Sequence, residues 1–254
     1  MKPIVIIAAL PQEIELLEQA LEYSGRLKAG GYECVEGTIG NVQVAVCAGG
    51  VGKVNAAAAT AVMIDRYRPR LVINTGCAGA YIGSGLSIGN LVVVSEEVLA
   101  DEGVIVADGW KDLRYMNLPS IEQKGHNCYN VLPLSRHASE KALQLADYYG
   151  VSLMRGRSAT VSTCSGTRCY AAELSLRWNA LIENMEGAAV AQVCLRCGID
   201  CLEIRGISNL VEERDMKTWN IPRAVEAAQR FVLKYIEDID RSDESPVPKV
   251  ILAL

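Results

Sequence analysis

Two hydrophobic patterns alternate along the chain. Short unbroken apolar runs with β-branched centres, of which Ile4-Val5-Ile6-Ile7 is the first, suit strands buried on both faces. Between them lie segments whose apolar residues recur three and four apart, the pattern of a helix with one buried face. The predicted strands are 3–9, 42–48, 71–74, 91–94, 158–162, 181–183 and 201–207. A helix is predicted to begin at Pro11, a favoured first-turn residue, with Glu13, Glu15 and Glu18 lining its start. Further helices are predicted at 56–67, 139–149, 168–178, 188–197 and 221–239. This alternation predicts an α/β fold: a single three-layer domain with a central, mostly parallel or mixed twisted sheet flanked by helices. Neither a Pro-, Gly- or Ser-rich linker nor an internal repeat divides it, so the domain is placed at 1–241. The stretch 108–133, with Trp110, Tyr115 and Tyr129, is weakly periodic and is expected to be an ordered excursion, serving as a lid or an oligomer contact. The tail 242–254 is charged and Pro-containing before its apolar end, and is expected to leave the domain surface or dock on another subunit.

With 254 residues, half of them hydrophobic, the chain can bury one substantial core. Lys+Arg 25 against Asp+Glu 30 gives a net charge of −5. That balance argues against nucleic acid as a main partner and supplies no basic membrane patch. Apolar runs are too short to span a bilayer and the first is too short for a signal peptide, so a cytoplasmic protein is expected. The nine cysteines are odd in number and scattered through predicted elements, the usage of reduced, buried small hydrophobes. Cys194 and Cys197 form a C-x-x-C unit inside a predicted helix, without a second pair or a nearby histidine, and no metal site is expected.

Two segments carry candidate chemistry. Glu183-Asn184-Met185-Glu186-Gly187-Ala188-Ala189 places two carboxylates and a thioether at the mouth of an alanine-rich helix. A carboxylate accepts hydrogen bonds from vicinal hydroxyls and a methionine offers a soft apolar surface beside them, so the segment suits a sugar ring. Glu203-Ile204-Arg205-Gly206-Ile207-Ser208-Asn209 reads as a strand ending in polar groups that suit a base. Glycine-rich turns are expected at Gly49-Gly50-Val51-Gly52 and Gly76-Cys77-Ala78-Gly79, each serving either close backbone approach to a ligand or tight strand–helix packing. Neither has dinucleotide or Walker spacing. Ligands gather at the carboxyl ends of strands in open α/β sheets, which would bring these segments into one pocket.

Four motifs in register, Ile6-Ile7-Ala8-Ala9-Leu10-Pro11-Gln12-Glu13, Gly50-Val51-Gly52-Lys53-Val54-Asn55-Ala56, Ile73-Asn74-Thr75-Gly76-Cys77-Ala78-Gly79 and Asn184-Met185-Glu186-Gly187-Ala188-Ala189, resemble the nucleoside phosphorylase/nucleosidase superfamily over nearly the whole chain. Within it the chain resembles the methylthioadenosine/S-adenosylhomocysteine nucleosidase branch and, most closely, the futalosine hydrolases of the alternative menaquinone pathway. The resemblance implies a homo-oligomer acting on a small nucleoside. It implies that Glu186 accepts from the ribose hydroxyls, that Met185 packs on the sugar, and that the Cys77-Ala78-Gly79 backbone and Ser208 contact substrate. It also implies that Glu13 takes a proton from water; read from position alone, Glu13 is a first-turn acid favoured by the helix dipole. A phosphorylase needs arginines and N–H groups for its anion, and Leu10-Pro11-Gln12-Glu13 offers a carboxylate instead. No metal or organic cofactor is expected, since water supplies the nucleophile.

The adenine-specific nucleosidases have Ser-Asp where this chain has Ser208-Asn209. An aspartate accepts from a 6-amino group, whereas an asparagine NH2 donates to a 6-carbonyl and N7. The change points to a 6-oxopurine such as hypoxanthine; the other reading of Asn209 is a turn residue satisfying backbone groups. Cys77 stands where the nucleosidases commonly have serine, and a thiol is a weaker donor. Glu183 is placed at a strand end, solvated or behind the ligand contacts. Arg214, Asp215 and Trp219 cover the base side or brace the loop carrying Asn209, and Tyr170 either stacks on the base or packs its helix. The expected activity is hydrolysis of futalosine to hypoxanthine and dehypoxanthine futalosine. The alternatives are a methylthioadenosine/S-adenosylhomocysteine nucleosidase, a purine nucleoside phosphorylase or a non-catalytic nucleoside-binding module.

Overall fold

The computed structural model describes residues 2–123 and 125–244. β1 (Ile4–Ala8) leads through a 3-10 turn, Pro11–Glu13, into the short α1 (Glu15–Gln19). The single helix expected from Pro11 is therefore broken, with Ile14 turned into the core between the two pieces. A hairpin of β2 (Glu22–Ala29) and β3 (Tyr32–Ile39) follows, then β4 (Val42–Ala48), α2 (Lys53–Tyr67) and β5 (Leu71–Tyr81). β6 (Leu91–Leu99) precedes the excursion. That excursion resolves into two small hairpins, β7 (Gly103–Val106) with β8 (Gly109–Asp112) and β9 (Ile121–Gln123) with β10 (His126–Cys128), before β11 (Val131–Pro133). The chain continues through α3 (Arg136–Tyr148), β12 (Leu153–Thr160), α4 (Arg168–Trp178), β13 (Ala180–Asn184), α5 (Gly187–Cys197) and β14 (Asp200–Val211). A 3-10 turn, Met216–Thr218, and α6 (Ile221–Glu244) complete it. α6 thus runs past the expected domain edge at 241, and residues 245–254 of the expected tail lie outside the described residues.

The β2–β3 hairpin was not expected, because β2 is a polar edge strand without an apolar run. Its signal was Gly30-Gly31, whose φ values of +55° and +89° suit a tight hairpin turn. A second difference matters more. Gly76-Cys77-Ala78-Gly79 is no turn: β5 extends to Tyr81, and the segment stays paired with β14 from Gly76↔Arg205 to Tyr81↔Val211. Likewise Ser208 and Asn209 lie inside β14 rather than beyond its end.

β4, β1 and β5 run parallel at the centre, with Ile4 paired to both Val44 and Leu71. β3 and β2 extend this sheet antiparallel. β5 is long enough to change neighbours: its first half pairs with β1, and farther along Gly79 and Ala80 pair with β13. Its other edge pairs with β14, which pairs antiparallel with β6. β6 pairs with β12 and β12 with β13. The five strands β5, β14, β6, β12 and β13 therefore close into a ring, and the mixed sheet is part open and part closed.

Helices cover both faces. The alanine-rich α2 and α5 pack in one core with Val5, Ile7 and Val72. On the other face α6 buries Ala228, Phe231, Val232, Tyr235 and Ile236, at helical spacing, against Ile4, Ile6 and Ile73. Gly206 allows α6 to approach, since a Cβ there would overlap the backbone carbonyl of Ala224. Gly206→Ala should destabilise the protein by about 1–3 kcal/mol, because the obstacle is backbone and cannot rotate away. Urea unfolding measures the loss, with Gly198→Asn as a control at an exposed helix end.

Candidate active site

The side chains singled out above converge on a cavity of about 170 Å³ at the carboxyl ends of β1, β5, β13 and β14. Its walls include Glu13, Cys77, Ala78, Gly79, Met185, Glu186, Ser208 and Asn209. These eight residues are therefore brought together. The loop after β4 contributes Val51, the segment after β12 contributes Cys164 and Ser165, and the loop before α6 contributes Arg214 and Trp219.

Glu13 is 3% exposed, so the turn after β1 carries it inward rather than leaving it on the surface. Its Oε2 accepts from the N–H groups of Ala9 (3.0 Å) and Leu10 (2.9 Å), and its Oε1 from the N–H of Cys77 (3.0 Å). Three backbone donors fix the carboxylate against the cavity wall. Gly76 makes this possible: with φ +153°, its absent Cβ would stand 2.6 Å from Glu13 Oε1 and 2.9 Å from Arg205 Nη1. The missing side chain at residue 76 lets the carboxylate and the guanidinium pack directly against the backbone there.

Glu186 sits at the N-terminus of α5, where free N–H groups favour negative charge. Its Oε1 accepts from the N–H of Gly52 (2.9 Å) and its Oε2 lies 3.8 Å from Arg205 Nη1. Hence the glycine turn after β4 does reach the site, through its backbone. Burial raises Glu186 above the ordinary carboxylate range, and Arg205 and the Gly52 N–H offset only part of that. Asn184 turns the chain into α5: its Oδ1 accepts from the N–H groups of Glu186 (2.8 Å) and Gly187 (2.7 Å).

Arg205 organises this wall and was not singled out from the sequence. It is fully buried on β14, and its Nε donates to Glu203 Oε1 at 2.7 Å. Nη1 donates to the Cys77 carbonyl at 3.3 Å and Nη2 to Asn184 Oδ1 at 3.5 Å. Burial alone would lower its pKa, but Glu203, Glu186 and Glu13 reverse that and raise it. Behind it, Glu97 accepts from Thr160 Oγ1 (2.6 Å) and Asn184 Nδ2 (2.7 Å). Burial, then the Glu203 carboxylate, push Glu97 well above the usual range. Charged residues at alternating positions of an otherwise apolar strand, Glu203 and Arg205, were the available signal.

On the opposite wall β14 carries a bulge: Ile207 pairs with Ala78 and Asn209 with Gly79, leaving Ser208 as the extra residue. The Ser208 hydroxyl contacts Asn209 Oδ1 (2.7 Å) and the Ala78 carbonyl (3.2 Å), and Asn209 Nδ2 donates to the Leu210 carbonyl (3.0 Å). Glu183 is neither solvated nor remote; it is 7% exposed and lines the cavity. Arg214 lies over the Trp219 ring at 5.2 Å, whereas Asp215 turns away and accepts from the Lys217 N–H. Tyr170 is 37% exposed on α4 and is not part of the cavity wall. The Cys77 thiol is pushed up to about 12 by burial and the Glu13 carboxylate, so it stays protonated and is a poor nucleophile.

Arg205→Met should cost about 3–5 kcal/mol in urea unfolding, because it strands buried carboxylates without their counter-charge. Adding Glu203→Gln to that variant should return part of the loss. Full additivity of the two substitutions would show that the pair is not coupled.

Residues 3–237 match the family model described as the phosphorylase superfamily. A futalosine hydrolase of Thermus thermophilus is 34% identical over 189 residues, covering 74% of this chain and 79% of that protein. A 5'-methylthioadenosine/S-adenosylhomocysteine nucleosidase of Lysinibacillus sphaericus is 28% identical over 239 residues, covering 93% and 99%. Among solved structures, the methylthioadenosine/S-adenosylhomocysteine nucleosidase of Colwellia psychrerythraea, in complex with adenine, superposes with a TM-score of 0.80 at 26% identity, covering 93% of this chain and 95% of that one. The chain belongs to the phosphorylase superfamily and is a hydrolytic N-glycosidase within it.

Proposed function

We propose that the protein hydrolyses the N-glycosidic bond of a purine nucleoside bearing a 6-oxopurine, with futalosine as substrate and hypoxanthine and dehypoxanthine futalosine as products, a step toward menaquinone. The orientation of Asn209 carries this reading. With Oδ1 facing the Ser208 hydroxyl and one Nδ2 proton on the Leu210 carbonyl, the amide offers its second N–H to a ligand. A donor there complements a 6-carbonyl or N7 and opposes a 6-amino group. The name of the 34% identical Thermus relative supports the same reading.

In the proposed reaction Glu13, held by three N–H groups, takes a proton from water in the cavity that it lines. The water attacks the anomeric carbon as the C–N bond breaks. Glu186 accepts from the ribose hydroxyls and its charge offsets the positive charge that gathers on the sugar, while Met185 packs against the ring. Asn209 stabilises the departing purine anion. Water is favoured over phosphate because Glu13 and Glu186 both face the nucleophile's side and would repel an anion.

A panel of futalosine, inosine with and without phosphate, and methylthioadenosine tests the reading by following base release. Futalosine should be cleaved fastest, without dependence on phosphate. Faster cleavage of methylthioadenosine would overturn the 6-oxopurine assignment, and phosphate dependence would remove the water mechanism. Glu13→Gln should lower kcat by about 10²–10⁴-fold with little change in KM, and Asn209→Asp should lose futalosine turnover more than stability. The pH profile gives a separate check. Only ionised Glu186 offers both oxygens as acceptors, and its pKa is raised by burial. The acid limb of kcat/KM should therefore lie above the ordinary carboxylate range, with activity falling as pH drops through it.

A further inference from the structure

We infer that Glu183 reads the base, accepting the N1–H of a 6-oxopurine on the edge opposite Asn209; this rests on the 6-oxopurine reading above. The argument starts from strand register. Gly79 on β5 pairs with Glu183 of β13 on one side and with Asn209 of β14 on the other. The three residues form one row across adjacent strands, and the outer two Cα atoms are roughly 10 Å apart at the usual strand spacing. Residues in such a row project to the same face. Both Glu183 and Asn209 line the cavity, and the residue between them has no side chain. A Cβ at Gly79 would meet Asn209 Nδ2 at 3.1 Å and Val211 Cγ2 at 2.7 Å. Val211 and the Asn209 amide close over Gly79, so the row sets a polar group on either side of an apolar patch against which a planar ring can lie.

The hydrogen bonds of Glu183 fix what it can offer. Its Oε2 accepts from Ser165 Oγ (2.5 Å) and Tyr81 Oη (3.1 Å), and its Oε1 from the Ser165 N–H (2.9 Å). A carboxylate has about four acceptor positions, so three donors leave one on Oε1. An acceptor at one end matches the N1–H of hypoxanthine, and an amide N–H at the other matches the N7 edge and the lone pair of the 6-carbonyl that faces it. Adenine presents the reverse, a lone pair on N1 and an amino group at C6, and both contacts would be repulsive. Asn209 alone discriminates at one atom, whereas the pair discriminates at two.

The test compares futalosine with its 6-amino counterpart in wild-type protein and Glu183→Gln, and hypoxanthine with 1-methylhypoxanthine as product inhibitors of the wild type. Glu183→Gln should lose about 100-fold in kcat/KM on futalosine and lose little or gain on the 6-amino compound, since its NH2 can donate to N1. The wild type should bind hypoxanthine at least 10-fold more tightly than the 1-methyl compound, which lacks the donor. This second measurement needs no variant, so the inference stays testable if Glu183→Gln fails to fold. An equal loss on both substrates, or equal inhibition by both bases with futalosine still preferred, would overturn the role of Glu183 and leave the 6-oxopurine reading standing. A wild-type preference for the 6-amino compound would overturn that reading and this inference with it.

Discussion

A guanidinium sealed among carboxylates holds the Glu13 and Glu186 side of this site together. Arg205 is fully buried, and so is its partner Glu203. Removing both charges from water is costly, and their attraction repays the cost only when geometry is good. Here the same side chain also reaches the Cys77 carbonyl, the Asn184 amide and the neighbourhood of Glu186. Asn184 in turn holds the first N–H groups of the α5 segment, and Thr160 holds the next. The position of Glu186 is therefore set by a network in which a fixed positive charge is the central member. That charge also keeps two neighbouring carboxylates, Glu13 and Glu186, compatible at close quarters.

The Asn209 side, where the base is proposed to lie, rests on a different kind of support. There the positioning comes from the backbone ladder: a bulge at Ser208 brings Asn209 level with Gly79, and strand pairing brings Glu183 level with it from the other edge. Side-chain hydrogen bonds then set which atom of each group faces inward. Charge pairing under the sugar and strand register under the base fit the two tasks. In the proposed reaction the Glu186 side must tolerate developing charge, and the Asn209 side must discriminate between donors and acceptors.

Much of this was legible in the chain. Buried strands announce themselves as β-branched runs, and the helices expected at 168–178 and 188–197 match α4 and α5 almost to the residue. The site motifs were legible because Glu13, Met185, Glu186 and Asn209 each fall at a strand end or bulge, where sequence pattern changes. Misreadings had a common cause. Glycine permits either a turn or a close approach, and at Gly76 and Gly79 the approach won, because β14 supplies a partner for every residue through Tyr81. That partner is more than 120 residues away and local pattern cannot show it. Arg205 was passed over, and Glu183 was placed as solvated or behind the ligand contacts, for the same reason: acids and bases in a strand read as solvated until the neighbours that bury them are known. β2 was missed because it is an exposed edge strand whose sequence carries no apolar run.

The closed ring of β5, β14, β6, β12 and β13 has a consequence for motion. Each of these strands is paired along both edges, so none can peel away without breaking two ladders at once. Glu183, Gly79 and Asn209 all ride on this hoop, whereas Glu13 and Val51 hang from connections outside it. Breathing of the native protein should spare the plate beneath the base and concentrate in the rim that delivers solvent. A binding surface that cannot flex while its lip can is suited to rejecting a wrong heterocycle without hindering the exit of the right one.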